Sequence, residues 1–327
     1  MNFLSVEKKR QLEWKLTTKT LPRDARVPGL YRSRMYPFCL PLEYASYNLF
    51  HEIRDEALRY FEEEGIVWHS SALPGTPTNH LCSSQIFAVN LLFPFMNQPE
   101  ALAASLKPFF ADIKRLLPVE DDRYVAFEWI GDYNYLGEIP KLGRDRHRGA
   151  GNTSIDAMMT YEATDGRLVM LLTEIKYTES YASSYKRFRT DGTDRIEPYR
   201  EFFYGPSTPI DLTANARIED FMYEPFYQLL RQQLLASRII EVGQPKVDIV
   251  KVLHIHAREN RELKAVTSPG FRQFGSDAYD VWQQLLVNPS DFMAVSSEDF
   301  FKSVPCRDYP VLEPWYHYMH NRYVFLK

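Results

Sequence analysis

The sequence predicts an α/β fold, a mixed central sheet flanked by helices, and three observations carry that prediction. Two apolar runs, 154–161 and 167–177, face each other across Ala163-Thr164-Asp165-Gly166, the signature of a β-hairpin. Apolar residues recur at helical spacing over 44–64, 83–93, 99–117 and 218–240. A further apolar run, 247–257, follows the last of these, so strands and helices are interleaved along the chain.

In chain order, residues 1–80 read as an accessory region of Pro-interrupted stretches. It holds one helix, 44–64, in which Leu49, Phe50, Ile53, Ala57, Leu58 and Phe61 share a face, and a connection at 70–79 with two prolines and a glycine. Residues 81–260 form the core. A helix at 83–93 opens it, and a second at 99–117 presents Leu102, Leu106, Phe109 and Ile113. A strand at 123–130 and the hairpin follow, then a polar and aromatic stretch to Thr213, a helix at 218–240 and a strand at 247–257. The remainder, 261–327, adds a helix at 276–287 and a terminal segment with Trp315, Tyr316, Tyr318 and Tyr323, read as packing rather than as a platform for unpaired bases.

Asp156 lies on the first hairpin strand and Glu174-Ile175-Lys176 on the second. Pairing Tyr161 with Leu168 sets Asp156 opposite Thr173, and a register one residue longer sets it opposite Glu174. Either way the carboxylates converge at one end of the hairpin. Side chains two apart share a face, so Glu174 and Lys176 point together and Ile175 points into the opposite layer. Two acids and one amine around a point suit a metal-dependent phosphodiesterase. Mg²⁺ takes oxygen ligands at about 2.0 to 2.1 Å and keeps waters that substrate phosphate can replace; Mn²⁺ is its substitute. Asp156, Glu174 and the Ile175 backbone carbonyl are the candidate ligands, and Lys176 is placed to orient the attacking water or to stabilise charge on the phosphorane. The bland alternative is a Glu174–Lys176 salt bridge on an exposed edge strand. The unbroken apolar run 168–172 argues against it, because it predicts a strand covered on both faces.

Other residues are candidates for support. Glu128 alternates with apolar neighbours in Val125-Ala126-Phe127-Glu128-Trp129 and is a candidate third acid; Gln85 is placed to position a phosphate or the lysine. Gln228 and Gln232 stand four apart on one helical face. Arg144, Arg146 and Arg148 precede the Asp156 strand, and Lys186 and Arg187 follow the Lys176 strand, which makes them candidates for phosphate contact. His254 and His256 share a strand face without a third ligand nearby, so a buried pair is favoured over zinc, and His317 with His320 makes no stronger case.

On these residues the chain resembles the PD-(D/E)XK nuclease superfamily, whose signature is an acid on one strand and E-x-K on the next. Longer runs are similar to a bacterial restriction-endonuclease family: Asn152-Thr153-Ser154-Ile155-Asp156-Ala157, Glu174-Ile175-Lys176-Tyr177-Thr178-Glu179-Ser180-Tyr181, Ser83-Ser84-Gln85 with Asn90, and Glu224-Pro225-Phe226-Tyr227-Gln228-Leu229-Leu230-Arg231. The resemblance runs over about 83–257. It implies a restriction-endonuclease-like core (αβββαβ), Mg²⁺ dependence and a nucleic-acid substrate, DNA before RNA, cut by an endonuclease serving restriction or anti-phage defence. It also implies that the helix bearing Gln228 packs beside the site, with Gln228 near Lys176 or substrate. Ile155 stands where the superfamily's name has proline, a common departure.

Composition narrows the alternatives. A net charge of -4 argues against a protein that coats nucleic acid by bulk electrostatics, though not against a local basic cleft. Cys39, Cys82 and Cys306 lack the spacing of a zinc knuckle or disulfide framework, and the N-terminus lacks a signal-peptide run. A cytoplasmic protein without a membrane span, dimeric if it cuts both strands of a duplex, is the expectation. The competing reading is a catalytically silent nucleic-acid-binding or structural protein on the same fold, against which two converging, phosphate-repelling acids count. A small-molecule enzyme that merely carries an E-x-K strand ranks last, because no phosphate loop, nucleophile elbow or zinc helix supplies it with a mechanism.

Overall fold

Gly166 turns the hairpin at φ +87°, a left-handed value open to glycine, and its N–H donates to the Ala163 carbonyl at 3.0 Å. The strands it joins, Ile155–Ala163 and Leu168–Lys176, lie at the centre of a mixed sheet. The computed structural model describes residues 2–138, 146–181, 185–188, 192–214 and 216–327. Within them the strands are β1 (Gly29–Tyr31), β2 (Arg34–Tyr36), β3 (Ile113–Leu117), β4 (Ala126–Trp129), β5 (Ile155–Ala163), β6 (Leu168–Lys176), β7 (Ile249–His256) and β8 (Phe292–Ser296). The helices are α1 (Phe3–Thr17), α2 (Arg54–Glu63), α3 (Ser84–Leu92), α4 (Pro99–Leu106), α5 (Glu197–Tyr204), α6 (Phe226–Val242), α7 (Ala278–Gln284), α8 (Ser297–Ser303) and α9 (Glu313–Arg322).

The strands β3 and β4 pair with opposite ends of β5, and the order then runs β5-β6-β7-β8. The first four are antiparallel neighbours, whereas β6-β7 and β7-β8 are parallel, with α6 as the crossover into β7. This six-stranded mixed sheet flanked by helices is compatible with a restriction-endonuclease-like core. A β1-β2 ribbon forms a separate two-stranded sheet. One sheet face is covered by residues of α1, α2, α3, α4, α8 and α9, so the N-terminal region and the C-terminal extension share a hydrophobic cluster with the core; α5, α6 and α7 cover the other. Among the described residues no helix is long and apolar enough to cross a membrane.

Several elements differ from the sequence expectation for identifiable reasons. The span 99–117 is not one helix. It ends at Leu106, since Pro108 has no N–H to continue the helical ladder, and 113–117 becomes strand β3. The helix expected at 44–64 starts only at Arg54, because the preceding backbone is tied elsewhere: Phe50 N–H donates to Asn90 Oδ1 at 2.7 Å, and the Asn48 carbonyl accepts from Asn90 and Arg322. Residues 218–221 form a separate 3₁₀ turn, and α6 begins after Pro225, which has no N–H to give. Gly243 ends α6 at φ +68° with its N–H on the Ile239 carbonyl. Four strands, not three, follow α4 before the next helix, and α1, β1, β2, α5, β8 and α8 are additions that periodicity did not reveal. Trp315, Tyr318 and Tyr323 are buried, as packing residues should be.

Candidate active site

Register builds the site. Hydrogen-bonded pairing of β5 with β6 ends at Ala157 and Thr173, and the next position sets Asp156 across from Glu174, the longer of the two expected registers. On the far side, Glu174 pairs with His254 and Lys176 with His256. Instead of continuing the backbone ladder, Asp156 Oδ2 accepts the Ile175 N–H at 2.7 Å. Glu174 Oε1 accepts from Lys176 Nζ at 2.5 Å and from Gln228 Nε2 at 2.7 Å, and its Oε2 accepts from Gln232 Nε2 at 2.6 Å. The Glu174–Lys176 ion pair is therefore real, but β6 is a central strand and both side chains are buried, so it is not an exposed edge-strand pair.

The donors on Glu174 form a chain whose polarity is determined. A carboxylate only accepts, so Gln232 presents its NH₂ to Glu174 and its oxygen to His254 Nε2, 2.7 Å away. Hence His254 donates from Nε2, leaving Nδ1 to accept from the Tyr279 hydroxyl at 3.3 Å. Burial, with the Lys176 charge and His256 acting in the same direction, holds the His254 pKa well below its usual value, so the ring is neutral as this tautomer requires. Gln232→Leu breaks the chain at its centre. On the metal-site proposal made below, the folded variant should bind Mn²⁺ about 10- to 100-fold more weakly, the usual cost of losing a hydrogen-bonding partner behind a metal ligand. Titration calorimetry checks this, and unchanged affinity would make the chain mere packing.

Electrostatics mark the same point. The Asp156 carboxyl is held well above the usual carboxylate range by burial and then by the Glu174 charge, with Lys176 acting in the opposite direction. For Lys176, burial works against the ammonium, yet Glu174 and more distant Tyr181, Glu179 and Asp156 outweigh it and push the pKa well up. The three side chains line a cavity of about 240 Å³ together with Gln85, Glu128 and Gln228. Glu128 stands where β4 meets Asp156, but its φ of +48° breaks the alternation: Ala126 and Trp129, three apart, both enter the cluster on the α6 face. Its carboxylate instead accepts from Gln85 Nε2 (2.7 Å) and Ser154 Oγ (2.9 Å). Gln85 is anchored in turn by the His69 N–H and the Val67 carbonyl.

The basic candidates separate. Arg148 points inward, where its guanidinium donates to Glu64 (3.0 Å), Glu120 (2.7 Å), Tyr60 and the Phe127 carbonyl, so it braces the β4 region and is not available to phosphate. Arg146 donates to the Ile130 carbonyl at 2.8 Å, and Arg187 pairs with Asp194 at 3.0 Å. Position alone suggested phosphate contact for these residues; acids and a carbonyl take the Arg148 donors and an acid pairs with Arg187, whereas Arg146 gives one donor to a carbonyl and its Nε has no partner among the described residues. Lys186 lies near Glu224, whose carboxyl burial holds above its usual range against the opposing charges of Lys176, Arg231 and Lys186. Arg144 lies outside the described residues. Arg231 and His69 are among the pocket residues that lacked a sequence-based role. Arg231, one turn from Gln228 on α6, is held by Thr153 Oγ1 at 3.0 Å and Glu138 at 3.3 Å. His69 contacts the Gly149 carbonyl at 2.7 Å and Glu128 at 3.5 Å. The spacing from Gln228 signals Arg231; nothing local signals His69.

Among the described residues, no group of three or more His, Cys, Asp and Glu side chains is arranged to hold a metal ion. Two carboxylates nevertheless fit Mg²⁺, which is commonly bound through one or two carboxylates with water and substrate phosphate completing the shell. The raised Asp156 pKa marks two buried acids facing each other, the arrangement a cation relieves. His254 and His256 add no zinc site, since His254 is committed to Gln232 and Tyr279.

A protein-family model described as Restriction Endonuclease associating with ARP matches residues 8–324. Neither a curated protein nor a solved structure matches.

Proposed function

We propose, from the premise that this chain belongs to the Restriction Endonuclease associating with ARP family, that it is a Mg²⁺- or Mn²⁺-dependent endonuclease acting on DNA. The convergence of Asp156, Glu174 and Lys176 in one buried pocket carries the reading. Asp156, Glu174 and the Ile175 carbonyl would hold the cation, which when bound supplies positive charge against the phosphate oxygens and the attacking water. The Lys176 ammonium, kept charged beside Glu174, is placed to donate to that water or to the phosphorane oxygens. Gln228 and Gln232 hold the Glu174 rotamer, and Gln85 and Ser154 hold Glu128 where it can accept from an outer water. A two-fold dimer would let two such sites cut both strands. The family's description pairs the enzyme with a component called ARP, and we extend that association to this chain.

A panel of plasmid, linear duplex, single-stranded DNA and RNA, incubated with Mg²⁺ or Mn²⁺, tests the proposal: duplex DNA should be cut, and no cleavage under either metal would leave the silent binding protein as the better reading. The pH dependence is specific. Asp156 retains its proton above the usual 3.8, so the native state binds more protons than the unfolded chain between that value and the raised one, and metal-free stability falls as pH rises through the window. A cation displaces that proton, so Mn²⁺ affinity measured by calorimetry should rise over the same window in wild type and be lost in Asp156→Ala.

A further inference from the structure

Charge is unevenly divided along this chain. Residues 1–36 carry nine Lys and Arg against three Asp and Glu, a net of +6, so residues 37–327 carry -10 to make the total of -4. Part of the N-terminal charge is used within the fold. Buried Lys15 donates to the carbonyls of Val27, Pro37 and Cys39 at 2.6, 2.9 and 2.5 Å, and Arg26 donates to those of Leu16, Thr18 and Leu21. The remainder faces solvent. Lys9, Lys19, Arg23, Arg32 and Arg34 are exposed, and among the described residues no side chain or carbonyl pairs with the charged groups of Lys9, Lys19, Arg23 or Arg34.

The β1-β2 ribbon concentrates this surface. Its two-residue turn, Arg32-Ser33, is left-handed at both positions (φ +45° and +66°), a conformation in which Asn-Gly is the usual pair. One ribbon face packs down: Tyr31 lies 4.8 Å from the His80 ring and Tyr36 5.4 Å from Phe38. The other carries the cross-strand pair Leu30 and Met35, 45% and 60% exposed; Arg32 sits in the turn, and Arg34, paired across the ribbon with Tyr31, is exposed on the side of Tyr31 and Tyr36.

This surface borders the active site. Arg32 donates to Ser70 Oγ at 3.2 Å, next to the pocket residue His69, and His80 precedes by four residues Ser84, another pocket residue, whose hydroxyl accepts the Tyr177 N–H. On the α1 side, Arg10 reaches Glu259 at 3.7 Å, and the adjacent Asn260 donates to the carbonyl of the pocket residue Glu179. The pocket itself is rich in carboxylate and repels a phosphodiester, so attraction must come from its surroundings. Arg148 and Arg187 are already paired with acids, and Arg146 gives one donor to the Ile130 carbonyl.

Resting on the nuclease reading above, we propose that the β1-β2 ribbon and the exposed cations of residues 1–36 form the ledge that binds duplex DNA beside the cleavage site. A two-stranded ribbon fits the major groove, about 12 Å wide. Arg32 and Arg34 contact phosphates, and Leu30 and Met35 lie against base edges. The test uses the full chain without divalent metal, so that binding is read apart from cleavage. Fluorescence anisotropy with a labelled DNA duplex across a salt series compares wild type, the double variant R32A/R34A and the double variant K114A/R115A, whose exposed cations sit at the opposite end of β5. R32A/R34A should lower the slope of log affinity against log salt by about 1.8, two contacts at about 0.9 each, with an unchanged melting midpoint. K114A/R115A should match wild type. An unchanged slope for R32A/R34A, or an equal loss in K114A/R115A, overturns the ledge, and a loss confined to single-stranded DNA or RNA overturns the duplex assignment. The two readings fail separately: cleavage with an unchanged slope removes the ledge alone, whereas a reduced slope in a protein that cuts nothing removes the nuclease reading alone.

Discussion

Lys176→Ala should cleave duplex DNA about 10²- to 10³-fold more slowly than wild type while binding Mn²⁺ and duplex almost as well, the cost expected for one preorganised donor aimed at transition-state charge. The geometry separates chemistry from folding. The ammonium is buried 2.5 Å from Glu174, yet Glu174 keeps the amides of Gln228 and Gln232 when the lysine is truncated, so its rotamer survives. Asp156→Ala should lose metal binding as well as cleavage, because that carboxylate is half of the acid pair. Single-turnover rates and calorimetry on the same preparations provide the contrast. A Lys176→Ala protein that cuts at the wild-type rate would reduce the E-x-K strand to a structural feature.

Arg322→Met should lower folding stability by about 3 kcal/mol or more, since it leaves several buried acceptors unpaired at about 1–3 kcal/mol each. Fully buried, Arg322 donates to the Asn48 carbonyl and side chain, to Tyr318 at 2.6 Å and to Gln11 at 3.2 Å, with the Leu81 carbonyl at 3.3 Å. Its guanidinium also lies over the rings of Trp14 (4.6 Å) and Tyr323 (4.9 Å). Methionine fills the volume but leaves those acceptors unpaired. Arg322→Lys should recover only part of the loss, since an ammonium cannot serve acceptors spread around a planar fork. Urea unfolding measures both, and a loss below about 1 kcal/mol for Arg322→Met, within the range of ordinary substitutions, would count against a central role. The network also reaches the site: Gln11 donates to the Tyr177 hydroxyl, which donates to Glu7, bracing the residue after Lys176 from behind.

Local rules carried the sequence reading as far as the hairpin. Period-2 alternation and an Asp-Gly turn placed Asp156, Glu174 and Lys176 at one strand end, and helical spacing placed Gln85 on α3 and Gln228 with Gln232 on one face of α6, because each signal lies within a few turns or one hairpin. What the local signals left open involves partners distant along the chain. The turning of Glu128 toward Gln85 and the role of Gln232 as a bridge to His254 depend on side chains 43 and 22 positions apart, and the hairpin left two registers one residue apart equally open. The same holds for Arg148, whose donors are claimed by Glu64, 84 positions earlier, and for 113–117, which becomes a strand only because β5 offers a ladder. Sequence alone determined which chemical groups meet on the hairpin, since neighbours on a strand share a face by covalent geometry. Only the tertiary structure decided which charges remain available to a ligand, because an arginine's donors go to whichever acid or carbonyl the fold brings within reach.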